Sequence, residues 1–418
     1  MARPATAHIR LDAFRHNYQL AKKLHGGSAL AVIKANAYGH GALQCAQAIA
    51  NEADGFAVAC LEEALQLRQA SIHNPILLLE GFFEVSELPE IVVNDLWIAV
   101  HAMWQVEILL SCKLAKPVHV WLKLDSGMHR LGLTAKEYKN AYALLNQHVN
   151  VIKIVLMSHF ANADDLTLQL SFDLTKSALT NPNLRPNLHP NLHPNLLSPL
   201  QQISHFSATV SGLNLTDTSL NLTDISLANS AAILAWPQAK GMWSRPGIML
   251  YGANPIDANL SNTAFSSKLV DKTTEALRPV MQFTSTIISM KNVSKNAAIG
   301  YGSIFTAKRD TLVGVVACGY ADGYPRSAGA GLDAGAPIAV EGQITKVIGR
   351  VSMDMLMVDL THISSAHVGS SVELWGDQVQ ANAVANAAGT IAYELFCNVK
   401  RVQFSYSDTN QSDADSIR

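Results

Sequence analysis

The 418-residue chain is poor in charge. Asp, Glu, Lys and Arg make up 15% of it and leave a net charge of -2, and there is no long basic run to form a nucleic-acid or membrane surface. No apolar run approaches the ~18 residues of a membrane-crossing helix. Residues 1–19 contain no apolar segment of the signal-peptide kind. Cysteine is scarce and odd in number: Cys45, Cys60, Cys112, Cys318 and Cys397 have spacings that suit neither a zinc site nor a disulfide framework. Reduced thiols in the cytoplasm follow as the simplest expectation. What remains is an ordinary globular composition, 49% hydrophobic, long enough for two domains.

The first half alternates short apolar runs with helical patterns. A strand is expected at 6–11, then a helix over 13–24 that Asp12 could cap. Strands follow at 29–33, 55–59, 76–79, 97–100, 118–124 and 151–157. Helical segments lie between them, among them 42–53, 61–69 and 103–110. Alternation at this spacing argues for βαβ units and a parallel sheet, and so many consecutive units favour a (β/α)8 TIM-type barrel over an open sheet. The barrel is expected to span 1–254. Within it, residues 164–228 change in composition. Pro182, Pro186 and Pro190 recur every fourth residue, and Asn-Leu-Thr-Asp occurs at Asn214 and again at Asn221. Proline at that spacing suits neither a helix interior nor a central strand. The segment is expected to be a solvated surface insertion rather than a metal site, because its histidines have no acidic or cysteine partners nearby. From about 277 the pattern turns to alternating β-branched runs at 281–290, 312–318, 336–347, 355–359 and 371–375, with helices near 381–388 and 391–396. A mainly β C-terminal domain over 255–418 is therefore expected.

Barrels of this kind carry their chemistry at the C-terminal ends of the strands, and several reactive side chains stand at such ends. Lys34 closes an apolar strand and faces a loop marked by Asn36, Gly39 and Gly41. A free amine there could form a Schiff base with an aldehyde cofactor. Alone, the stretch also fits a lysine at a strand edge with its head in water. Lys123 and Arg130 flank the next charged, glycine-containing loop, and His159 follows the 151–157 strand. Gly247 permits close backbone approach, and the small residues around it could cradle a phosphate. Glycine-flanked tyrosines occur in the loops at 300–303 and 319–326. They are either exposed or packed at a domain interface.

Taken together, AVIKANAYGHG at 31–41, LKLDSGMHRLG at 122–132, SHFANAD at 158–164, ANSAA at 228–232, RPGIMLYG at 245–252, GYG at 300–302, GYADGYPR at 319–326 and GRVSMDM at 349–355 resemble the alanine racemases over residues 6 to about 403. The resemblance implies a barrel carrying pyridoxal 5′-phosphate (PLP) and a C-terminal β domain. It implies that Lys34 holds PLP and serves the D-alanine side, and that Tyr301 is the opposite base for L-alanine. A phenol needs nearby positive charge to act as a base near neutral pH; His159 and Arg245 match the family residues that supply it, and Arg245 would face the pyridine nitrogen. Arg130 would bind the substrate carboxylate or the cofactor phenol oxygen, with the Met353 backbone N–H as a second carboxylate donor. Tyr38, Ser230, Gly247 and Ile248 would contact the phosphate, with Asn229 nearby. Lys123 matches a lysine that is carbamylated in some members. Tyr320, Arg326 and Arg350 match a polar entrance that restricts substrate size. Because Tyr301 reaches the partner's lysine in the family, a head-to-tail homodimer with shared sites is implied, supplying D-alanine for peptidoglycan. Two alternatives stay open: a racemase of similar fold for another amino acid, such as serine or a basic one, and a non-catalytic PLP carrier, which predicts a barrel alone. Gln403 stands where many members have proline, and the phosphate-binding tyrosine some members have near there is left unassigned.

Overall fold

The computed structural model describes residues 3–168, 197–213, 225–256, 276–329 and 335–408. The repeat prolines at 182–190 and both Asn-Leu-Thr-Asp copies lie outside those residues.

Eight parallel strands form the barrel: β2 (Ser28–Val32), β3 (Gly55–Val58), β4 (Ile76–Leu78), β5 (Leu96–Val100), β6 (Val118–Lys123), β7 (Val151–Met157), β8 (Ile225–Ser226) and β9 (Trp243–Ser244). They pair in chain order, and β9 returns to pair with β2. The ring is closed between β8 and β9 by one isolated parallel bridge, Asn229 to Arg245. β3, β4 and β5 are apolar on both faces, as fits a sheet covered outside by helices and filled inside by side chains. Trp97, Trp121 and Trp243 plug the interior, with ring centroids 5.5–6.0 Å apart.

The expected insertion is corrected in part. Residues 199–211 form a helix, Pro199–Ser211, started by a Ser198–Gln201 capping box and burying Gln202, Phe206, Thr209 and Val210. It packs against the helix Ala135–Leu145 as a regular barrel helix. Its apolar spacing is that of an amphipathic helix, which the flanking low-complexity sequence obscures.

The first strand is also reassigned. β1 (Thr6–Arg10) runs antiparallel to β10 (Met281–Val293) and parallel to β18 (Gln403–Ser407), so it belongs to the C-terminal sheet and not to the expected 1–254 barrel. Its buried Ala7 and Ile9 fill the core of that sheet, and the chain enters the barrel only afterwards, through helix α1 (Leu11–His25). Asp12 sits in the first turn of that helix without capping it. Around β10 gather β13 (Thr311–Val316), β14 (Pro337–Val340), β15 (Gln343–Lys346), β16 (Leu356–Asp359) and β17 (Ser371–Trp375). A short hairpin, β11 (Ala298–Ile299) and β12 (Phe305–Thr306), stands apart. Helices Ala381–Ala388 and Ala392–Asn398 join this layer to the barrel.

Candidate active site

A cavity of about 470 Å³ opens at the C-terminal ends of the barrel strands. It is lined by Lys34, Tyr38, Lys123, Arg130, His159, Asn229, Ser230, Arg245 and Gly247. These nine are drawn from segments more than 200 residues apart, and all of them were candidates on sequence grounds.

The backbone after Lys34 is unusual. Ala35, Asn36, Ala37 and Tyr38 all lie in the left-handed helical region, with φ between 51° and 53°. Each costs about 1–2 kcal/mol for an L-residue, so the surroundings must hold the turn. Glu63 does much of this. Its carboxylate accepts the Ala35 N–H at 2.7 Å and the Ala59 N–H at 2.8 Å, joining the turn to the end of β3. Asn36 accepts the Ala42 N–H at 2.9 Å. His40 is fully buried and held neutral, its pKa pushed down to about 4 by burial; its Nδ1 lies 3.0–3.1 Å from the Tyr38 and Ala37 carbonyls and donates to them. The turn presents Tyr38 to the cavity, braced on Tyr251 at 4.8 Å between ring centroids. In sequence Glu63 reads as a dipole-matching acid in a helix first turn. Its actual role depends on two strands being adjacent.

Across the cavity, a Cβ on Gly247 would stand 2.7 Å from the Tyr38 hydroxyl, so only glycine permits this approach. The Gly247 N–H donates to Ser230 Oγ at 2.8 Å. Asn229 caps the helix Ser230–Ala235 through the Ala232 N–H at 3.0 Å. Small residues, hydroxyls and an amide converge here in a cradle suited to a phosphate. Tyr393 was missed from sequence. It lines the same cavity, 5.6 Å ring to ring from Tyr38, and no local motif marks a lone tyrosine on a distant helix as part of this wall.

Arg245 is buried, donating to the carbonyls of Ser158 (2.6 Å) and Ser226 (2.9 Å) and to the Ser226 hydroxyl. Its Nη2 lies 3.5 Å from His159 Nδ1, which accepts. No carboxylate pairs with it among the described residues. Burial lowers its pKa only to about 10, so it stays a cation. Burial, together with Arg245, Lys123, Arg130 and Lys34, pushes His159 well below the usual imidazole range, and the ring is neutral at pH 7. Gln202, on the helix Pro199–Ser211, donates to the His159 carbonyl at 3.2 Å and to Ser126 at 3.1 Å. Lys123 is buried among cations, and desolvation, with Arg245 and Arg130, lowers its pKa to about 7. Part of it is therefore a neutral, nucleophilic amine near neutral pH. Arg130 is exposed at the rim.

Five candidates stand elsewhere, and one faces away. Tyr301 is 68% exposed and Met353 53% exposed, and neither lines the Lys34 cavity. Tyr320, Arg326 and Arg350 share a second cavity of about 550 Å³ with Glu394 and Lys400. Ile248 is buried and borders a third cavity behind Asn229 and Tyr393.

The sequence model "Alanine racemase, N-terminal domain" matches residues 9–255, and "Alanine racemase, C-terminal domain" matches 280–406. The chain is 50% identical over 404 residues to an alanine racemase of Pseudomonas taetrolens, covering 97% of this chain and 99% of that one. It is 49% identical to the catabolic alanine racemase of Pseudomonas putida, with the same coverage. Among solved structures, the biosynthetic alanine racemase of Pseudomonas aeruginosa superimposes with a TM-score of 0.81 at 41% identity, covering 97% and 99% of the two chains. With both domains matched in order and the strand-end side chains gathered in one cavity, this chain belongs to the alanine racemase family.

Proposed function

We propose that the protein interconverts L-alanine and D-alanine with PLP as cofactor. The observation that carries this reading is the convergence of Lys34, Arg130, His159 and Arg245 on one cavity beside the Tyr38–Ser230–Gly247 cradle. The residues fit the cofactor: an amine for its aldehyde, a crowded small-residue cradle for its phosphate, and, for its ring nitrogen, an Arg245 cation that pairs with no carboxylate among the described residues. Asn229 borders the cradle and Tyr393 adds a hydroxyl on its wall; the Ile248 side chain points away, so we assign only its backbone N–H to the phosphate. When bound, PLP supplies the electron sink that makes the substrate Cα–H acidic.

The chain's own groups then divide the work. Lys34 holds the cofactor and handles the proton on the D-alanine face. Tyr301 handles it on the opposite face. Because Tyr301 and Met353 are exposed and away from the Lys34 cavity, we assign them to the site of a second copy in a head-to-tail homodimer. Arg130 and the Met353 N–H bind the substrate carboxylate. Tyr320, Arg326 and Arg350 form the entrance. Lys123, once carbamylated, becomes an anion that orients Arg130; its depressed pKa supports this, since the neutral amine is the form that reacts with carbon dioxide. We place the enzyme in the cytoplasm, in keeping with its unpaired cysteines. No helix among the described residues is long and apolar enough to cross a membrane.

The test is chiral analysis of L-alanine incubated with purified protein, with and without PLP. D-alanine forming only with PLP supports the reading. No D-alanine from PLP-loaded protein overturns it in favour of another substrate or a carrier. Tyr301→Phe separates the last two, since a carrier is indifferent to it. We assign to the enzyme the supply of D-alanine for peptidoglycan. The similarity to a catabolic racemase favours a second role, alanine breakdown. Gene deletion distinguishes them: the first creates a D-alanine requirement, the second abolishes growth on alanine.

A further inference from the structure

Four chain segments meet at Asp322, far along the chain from the Lys34 cavity. Its carboxylate is fully buried. It accepts the Gly319 N–H at 2.9 Å and pairs with Arg3 from the segment before β1. The same Arg3 nitrogen donates to the Asp354 carbonyl at 2.8 Å. Arg401, just before β18, donates to the Asp354 carboxylate at 2.8 Å and stands 3.8 Å from Asp322. Two arginines and two aspartates thus tie the segment before β1 and the entry to β18 to the loop that bears Met353. That loop is pressed against the Gly319–Asp322 turn. The Tyr320 N–H donates to the Ser352 carbonyl at 3.1 Å and the Ala321 N–H to the Met353 carbonyl at 3.0 Å. A Cβ on Gly319 would stand 2.3 Å from the Met353 oxygen. The Met353 N–H has no acceptor among the described residues.

We infer that Arg3 and Arg401, bridged through Asp322 and Asp354, are positioning residues that fix the Met353 N–H for binding the substrate carboxylate. The inference rests on the reading of Met353 given above. The physical reason is that a donor on an exposed loop loses affinity with every alternative orientation it samples, and a carboxylate-facing N–H acts only over a narrow range of distance and angle. The Ser352 and Met353 carbonyls are already engaged by the turn. The arginine pair holds the next residue from the other side, so the Met353 peptide is clamped at both ends.

The experiment uses the full-length, PLP-loaded enzyme and propionate as a competitive probe that carries the carboxylate alone. Arg3→Ala and Arg401→Ala are expected to raise the propionate inhibition constant and the KM for alanine together, by about tenfold, the loss of one charge-facing hydrogen bond. Turnover and the absorbance of bound PLP should change little; Tm should fall by a few degrees, about 3–6 °C, for Arg3→Ala, which strips the buried Asp322 carboxylate of its close cation, and little for the more exposed Arg401→Ala. Lysine at either position should recover part of the loss, keeping the charge but not the forked geometry. Asp354→Asn, a gentler change, should act in the same direction. Met353→Pro, which removes an N–H that has no acceptor among the described residues, serves as the reference. If Met353→Pro weakens propionate and the arginine variants do not, the positioning role is refuted and the Met353 reading stands. If Met353→Pro folds and leaves propionate binding unchanged, the Met353 reading falls and this inference with it. A loss of propionate affinity that tracks a fall in Tm and is not recovered by lysine also refutes the inference.

Discussion

Glu63 offers the sharpest quantitative test of how the Lys34 turn is held. Four consecutive left-handed residues represent roughly 4–8 kcal/mol of local strain. Glu63→Ala removes the acceptor of two backbone N–H groups. The Ala59 N–H is partly enclosed, and leaving it unpaired costs about 1–3 kcal/mol. The Ala35 N–H is exposed and can turn to water, so its loss costs about 1 kcal/mol. The expected destabilisation is about 2–4 kcal/mol. In a chain this long, ~3 kcal/mol moves Tm by only about 3 °C, so the informative assay is local. Hydrogen–deuterium exchange of the 33–41 peptide should accelerate by roughly 30–700-fold, and PLP should bind more weakly. Glu63→Gln, which keeps one accepting oxygen, should fall between the two. Ala35→Gly should partly restore Glu63→Ala, because glycine occupies the left-handed region without penalty. If Glu63→Ala leaves exchange at 33–41 unchanged while lowering Tm, the strained turn is held by other contacts and the reasoning fails.

Mixing Lys34→Ala and Tyr301→Phe subunits, with exchange, should recover about a quarter of wild-type activity, because half the dimers are hybrid and each carries one intact site; no recovery on mixing would refute the shared site. Lys123 should make stability depend on pH. Its folded pKa, about 7, lies below its unfolded value, so the unfolded chain binds the extra proton between them and stability should rise from about pH 7 to 10. Lys123→Met should flatten that rise in denaturant midpoints, and an unchanged slope would assign it to other groups. Gly247→Ala puts a methyl 2.7 Å from the Tyr38 hydroxyl and should weaken PLP binding by about tenfold at little cost in folding; unchanged PLP affinity would show that the cradle yields.

The alternation of apolar and helical stretches determined the barrel, because period-2 and period-3.6 patterns report which faces are buried wherever neighbours in sequence are neighbours in space. The strand-end positions of Lys34, Lys123 and His159 followed from the same pattern, and the helix Leu61–Gln69 and the strand Val151–Met157 were legible to the residue. The family motifs marked residues such as Arg245 and Ser230 that pattern alone leaves bland. Other features were decided only in three dimensions. Nothing local in residues 6–10 says that they cross to the far sheet, since a strand's partner is fixed by long-range pairing with β10 and β18. The helix Pro199–Ser211 was hidden by the repeats around it, and its worth appears only when Gln202 meets His159. Glu63, Tyr393 and the Arg3–Asp322–Asp354–Arg401 cluster share the same cause. Each acts on a group brought near by the closure of the barrel or the docking of the second sheet. Sequence order records periodicity and local turn chemistry, whereas contacts between segments hundreds of residues apart exist only after the chain has folded.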